Sequence, residues 1–199
     1  MSAKAKTKSM AKKIQTMAKA TILNNHSDEE LIGLVADERE ALKRKAFSIL
    51  VARHTRYFYN IAYRITLEKE AAEDVVQSSF LKLWQNPNLW EADKAKFKTW
   101  FYRIVCNAAI DHKRRLKPAE QIDNLEIEDE NSADIEKNDE QRILHNALSQ
   151  IPPRQRAAIM MVYFEEMKQQ EAADILEIGI KALESLLSRG KKALEDILK

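Results

Sequence analysis

The chain has 199 residues, with 33 Lys and Arg against 31 Asp and Glu, and 45% of it is apolar. This is the composition of one globular domain or two small ones. Three Gly and four Pro are too few for the turns of a β sandwich or barrel, so an all-α protein is expected. No run approaches the roughly 20 apolar residues of a membrane span, and the N-terminus lacks the apolar core of a signal peptide, so no membrane insertion and a cytoplasmic location are expected. A lone cysteine, Cys106, and four scattered histidines, His26, His54, His112 and His145, offer neither a disulfide nor metal-ligand spacing. Without a Gly-rich phosphate loop or a nucleophile motif either, no cofactor, metal, small-molecule substrate or catalytic residue is expected.

The net charge of +2 hides blocks of opposite sign. Residues 1–24 carry six Lys and no acid, residues 94–117 carry eight basic side chains against Asp111, and residues 118–141 carry ten acids against Lys137. Blocks of this kind fit a polyanion-binding surface joined to an acidic tether. The chain therefore divides into a basic, solvated tail at 1–26, a folded unit at 27–116, an acidic linker at 117–137 and a second folded unit at 138–199.

Ser27-Asp28-Glu29-Glu30 has the spacing of a capping box, which starts the first helix ahead of Leu31, Ile32, Leu34 and Val35. The apolar series from Phe47 to Ile65 predicts one or two further helical segments. Ala72, Val75, Val76, Phe80, Leu83 and Trp84 then repeat at helical spacing until Asn86-Pro87-Asn88 breaks the pattern. In the next helix Phe97, Trp100, Phe101, Ile104, Val105 and Ala108 form a broad apolar stripe, while Lys96, Arg103, Asn107 and Arg114 fall on the opposite side. A basic row of this kind suits an anionic partner, and equally a solvated face.

In the second unit a short helix containing Ile143, Leu144, Ala147 and Leu148 ends before Pro152-Pro153. Pro153 suits the first turn of the following helix. Helical patterns over 171–176 and 180–194, joined by Glu177-Ile178-Gly179, have the layout of a helix-turn-helix, or of an ordinary helical hairpin. Ile180, Leu183 and Leu187 are expected to pack inward, leaving Lys181, Glu184, Ser185, Ser188, Arg189 and Lys192 outside.

Taken together, these segments resemble the extracytoplasmic-function group of bacterial sigma-70 family RNA polymerase sigma factors. Ala72-Glu73-Asp74-Val75-Val76-Gln77 with Phe80, Leu83 and Trp84 is similar to the family's polymerase-binding helix, and the run from Phe97 to Asn107, with Asp111 and Arg114-Arg115, to its promoter-melting helix. Ile151-Pro152-Pro153-Arg154-Gln155-Arg156 and the helix-turn-helix are similar to the domain that reads the −35 element.

The resemblance implies a subunit that binds core RNA polymerase, recognises promoter DNA and melts its −10 region, acting on the bacterial nucleoid, with an anti-sigma factor as a further partner. It assigns Glu73, Asp74, Gln77 and Phe80 to polymerase binding. It assigns Trp90, Lys96, Thr99, Trp100, Arg103, Asn107 and Arg114 to the −10 element. Arg154, Lys181, Glu184, Ser185, Ser188, Arg189 and Lys192 go to the −35 element. Two other functions share parts of this pattern: a decoy that titrates an anti-sigma factor, and a free-standing regulator using only the helix-turn-helix. The regulator has no need of the aromatic and basic helix at 97–116, and a decoy of this kind is expected to come fused to a receiver domain, for which 199 residues leave no room.

The chain also departs from the family. Glu166 and Glu177 stand where Gly is usual, Lys168 and Gly179 where the family has an N-capping Ser, and Glu184 and Leu186 where it often has Lys and Arg.

Overall fold

The computed structural model describes residues 23–116 and 139–199. Most of the expected basic tail and the whole acidic linker lie outside the described residues. Those residues hold eight α-helices and no strand, the all-α architecture expected. In chain order they are α1 (Asp28–Val35), α2 (Glu40–Thr66), α3 (Lys69–Gln85), α4 (Phe97–Leu116), α5 (Asp139–Ser149), α6 (Pro153–Ile159), α7 (Gln169–Ile175) and α8 (Ile180–Ile197). A 3-10 turn at Pro87–Leu89 follows α3, and α6 runs on into a π-helical turn at Met160–Phe164.

Local chemistry sets most of the boundaries. The capping box forms in full: the Glu30 amide donates to Ser27 Oγ at 3.1 Å and the Ser27 amide to Glu30 Oε2 at 2.8 Å, which satisfies two donors that a helix start leaves open. The apolar series from Phe47 belongs to a single helix of 27 residues. It stops where Thr66 Oγ1 turns back to the Ala62 carbonyl at 2.9 Å and Leu67 takes a φ of 62°. Pro153 occupies the first turn of α6, where its missing amide costs nothing.

Contacts gather the described residues into two compact units, and the division crosses α2, α3 and α4. One unit takes the described part of Met1–Thr55 together with Phe80–Trp100. Its core is Leu31, Ile32 and Val35 of α1, Ala46 and Leu50 of α2, Phe80 and Leu83 of α3, and Phe97 and Trp100 of α4. Phe47 sets its ring edge-on to Phe80 at 6.2 Å and lies 5.0 Å from Trp84. Asp28 pairs with Arg53 and, at 2.7 Å, with Nε2 of buried His54, tying α1 to α2. Glu29 Oε1 accepts the Phe97 amide at 3.2 Å. That puts a carboxylate on the positive end of α4, where a helix start favours it.

The other unit takes Arg56–Ser79 and the described part of Phe101–Lys199. Phe58 packs edge-on against Phe101 at 4.8 Å, among Ile61, Ile65, Val75, Val76, Tyr102 and Val105. Cys106 is fully enclosed, and burial pushes its thiol up to about 12, with the Arg154 charge opposing the rise. A Cβ at Gly190 of α8 would lie 2.7 Å from Ile159 Cδ1 and 3.4 Å from Gln155 Cβ, so this glycine allows α6 and α8 to cross closely.

Arg156 is only 2% exposed. Its Nη1 donates to the Ile65 carbonyl at 2.7 Å, in the last turn of α2, and its Nη2 to the Ile151 carbonyl at 3.0 Å. Burial lowers its pKa to about 10, partly opposed by Glu68, so it stays charged at neutral pH. A cation at a helix C-terminus also complements the partial negative charge there. In the same unit, Glu165 accepts the Tyr57 hydroxyl at 2.8 Å and lies 3.5 Å from Arg64.

Candidate nucleic-acid interface

The melting-helix pattern maps onto α4, with Phe97, Trp100, Phe101 and Val105 buried and Ile104 and Ala108 half-buried. The core reaches further round the helix than the stripe predicted, because Tyr102, Cys106 and Ala109 are buried too. Lys96, Arg103 and Arg114 are exposed, and Thr99 and Asn107 are half-buried. Arg114 meets Asp111 at 3.2 Å, a largely solvated pair at 78% and 48% side-chain exposure. Such a pair is worth little and gives way readily to a phosphate.

Two residues assigned to interfaces are placed in the packing. Trp100 is 7% exposed, with its ring 6.2 Å from Phe97, and Phe80 is 5% exposed. Trp90 is half-buried, and its indole N–H donates to the Ala95 carbonyl at 3.0 Å. That bond ties the loop after the 3-10 turn back on itself and leaves only part of the indole for a partner.

On α3, Ala72, Val75, Val76, Phe80 and Leu83 are buried, while Glu73, Asp74, Gln77 and Ser78 are exposed. Leu81, 52% exposed, adds an apolar side chain to the strip that carries Asp74, Gln77 and Ser78. The sequence stripe gave no hint of it, since a lone leucine off the apolar period looks like any surface residue.

In the helix-turn-helix, Leu183 and Leu187 are buried and Ile180 is half-buried. Lys181, Glu184, Ser185, Ser188, Arg189 and Lys192 are all exposed on α8. Arg189 Nε turns to the Ser185 carbonyl of its own helix at 3.2 Å. Arg154 reaches into the motif rather than away from it, its Nη2 donating to the Leu176 carbonyl at 3.1 Å.

The backbone explains the family's preferred residues at the departure points. Glu166 and Glu177 have φ of 53° and 54°, the left-handed region that costs an L-residue roughly 1–2 kcal/mol and glycine nothing. Lys168 and Gly179 sit at N-caps with no side-chain hydrogen bond. Glu177→Gly is therefore expected to raise stability by about 1 kcal/mol, the steric relief exceeding the entropy lost on adding glycine. Thermal unfolding measures the gain. An unchanged or lower Tm would contradict the strain.

The comparisons with known proteins agree with this geometry. A family model described as Sigma-70 region 2 matches residues 50–118, and one described as Sigma-70, region 4 matches residues 141–194. The ECF RNA polymerase sigma factor SigW of Bacillus subtilis is 27% identical over 168 residues, covering 77% of this chain and 89% of that protein. The RNA polymerase sigma-H factor of Pseudomonas aeruginosa is 24% identical over 191 residues, covering 89% and 96%. Among solved structures, CnrH in complex with the cytosolic domain of CnrY shares the fold with a TM-score of 0.61 at 24% identity, over 86% of this chain and 96% of that one. The sigma factor RpoE in complex with the anti-sigma factor NepR from Bartonella quintana gives a TM-score of 0.57 at 21% identity, over 77% and 97%.

Proposed function

The chain belongs to the extracytoplasmic-function group of the sigma-70 family of RNA polymerase sigma factors, and we propose that its exposed helix faces divide the work of promoter opening. The region spanning 27–116 docks on core polymerase and handles the −10 element, and the region at 138–199 reads the −35 element. The chain acts on the nucleoid in the cytoplasm and supplies no chemistry of its own. No helix among the described residues is long and apolar enough to cross a membrane. By analogy with the complexes of CnrH and RpoE, an anti-sigma protein is a further partner.

The observation that carries this reading is the two-sidedness of α4, where an aromatic face is buried and Arg103 and Arg114 stand exposed, with Lys96 exposed just ahead of its first residue. Opening a duplex takes bases out of the stack at a cost of a few kcal/mol. Cationic side chains along the freed strand and an aromatic surface near it offset that cost. Lys96 and Arg103 hold phosphates of the opened strand, and the free part of Trp90 receives a base. On α8, Lys181, Ser185, Ser188 and Glu184 face the major groove, where a carboxylate accepts from a cytosine amino group, and Arg189 and Lys192 contact phosphates.

The test is a permanganate footprint of the −10 region with holoenzyme carrying Lys96→Ala and Arg103→Ala together. Loss of two phosphate contacts on a single strand should lower the slope of log K against log salt by about 1.4. The reactive thymines should fade at moderate salt while core binding stays intact. A footprint and slope matching wild type would remove these residues from the −10 interface.

A further inference from the structure

A side chain from outside the helix-turn-helix reaches its turn. The carbonyls at a helix end lack partners within the helix and must find them elsewhere. At the end of α7, Ala172 O accepts the Leu176 amide at 3.1 Å, Ala173 O the Ile178 amide at 3.0 Å and Asp174 O the Glu177 amide at 3.3 Å. The Leu176 carbonyl accepts Nη2 of Arg154, from the first turn of α6, at 3.1 Å. The next residue, Glu177, is in the left-handed region at φ 54°, and Gly179, which starts α8, offers no side-chain cap. The turn that aims α8 thus has a strained residue, an uncapped helix start and a long-range charged donor in Arg154.

We propose that Arg154 is a positioning residue for −35 recognition: it sets the angle of α8 through the Leu176 carbonyl and makes no phosphate contact. The inference rests on the −35 reading of α8 given above. A guanidinium on a C-terminal carbonyl is both a charge-assisted hydrogen bond and a favourable partner for the helix dipole. Arg154 is exposed as a whole, and the inward contact is made by Nη2 alone, on the Leu176 carbonyl. A phosphate contact and a positioning bond differ in what they change. A phosphate contact adds affinity to every sequence alike and contributes to the salt slope, whereas a misplaced recognition helix loses discrimination between sequences.

The experiment uses full-length chain in complex with core polymerase and two duplex probes: the −35 sequence that the wild-type complex selects from a randomised library, and the same duplex with that hexamer scrambled. Arg154→Ala should reduce the preference for the selected duplex by about tenfold, the equivalent of 1.4 kcal/mol. Affinity for the scrambled duplex and the salt slope should stay as in wild type. Hydrogen exchange on the full chain supplies the second measurement. The amides of residues 177 and 178 should exchange faster, with the middle of α8 still protected.

A slope lower by about 0.9, with both probes weakened together, would make Arg154 a phosphate contact and overturn the proposal. So would an unchanged preference, or loss of protection across the whole of Pro153–Ile197. If the wild-type complex selected no −35 sequence at all, the failure would lie with the −35 reading itself and not with Arg154.

Discussion

Asp74→Ala combined with Gln77→Ala is expected to weaken binding to core RNA polymerase by about tenfold to a hundredfold while leaving helicity and Tm unchanged. The two effects separate because α3 divides its residues cleanly. Val75, Val76, Phe80 and Leu83 are buried and hold the helix, and Asp74 and Gln77 are exposed one turn apart. Surface substitutions of this kind usually move stability by less than about 0.5 kcal/mol. At a docking surface, truncating two polar groups costs about 1.4–2.7 kcal/mol for the pair, because their partners are left unpaired. Fluorescence titration of labelled chain with core polymerase measures the loss, and circular dichroism confirms the helix. Unchanged affinity would remove this face of α3 from the polymerase interface.

Arg156→Met is expected to cost about 3 kcal/mol of stability, more than any change on the proposed DNA-facing surfaces. Methionine keeps much of the stem's packing, so the loss isolates the two carbonyl bonds, each worth about 1.5–3 kcal/mol when the donor is charged. At 2% exposure water cannot take the place of the guanidinium, so the Ile65 and Ile151 carbonyls would be left without their charged partner. Part of the penalty returns because a buried charge is itself expensive to hold, the effect that lowers the pKa of Arg156 to about 10. Chemical denaturation of the full chain provides the figure. A variant as stable as wild type would mean that relieving the buried charge fully offsets the lost bonds.

Periodicity and capping made most of the architecture legible. Ser27 and Glu30 announced the first helix, Asn86-Pro87 the end of the third, and Pro153 the start of α6. Chain order could not show that the compact units cross α2, α3 and α4, because that division depends on contacts far apart in sequence. Nor did the apolar stripe of α4 predict Tyr102 and Cys106 in the core. Both lie outside a single 3–4 repeat and are buried because α4 is covered on more than one side.

The candidate sites were legible in their charges and less so in their geometry. The exposed row of Lys96, Arg103 and Arg114 followed directly from helical spacing. Arg154 looked like one more basic residue for DNA, and only the fold brings the Leu176 carbonyl within its reach. Phe80 and Trp100 carry aromatic rings that suit an interface, yet both are spent on packing. The unusual Glu166 and Glu177 were visible as departures from a family pattern, and their physical meaning, a positive φ at each, came from the backbone.

Run-off transcription with purified chain and core polymerase, on a template whose promoter the wild-type complex has selected, reads promoter recognition and opening in one assay. The expected result is a transcript of one defined length that requires the chain, weakens when its −35 hexamer is scrambled, and disappears at moderate salt with Lys96→Ala and Arg103→Ala together. Absence of any chain-dependent transcript, with binding to core demonstrated in the same tube, would contradict it.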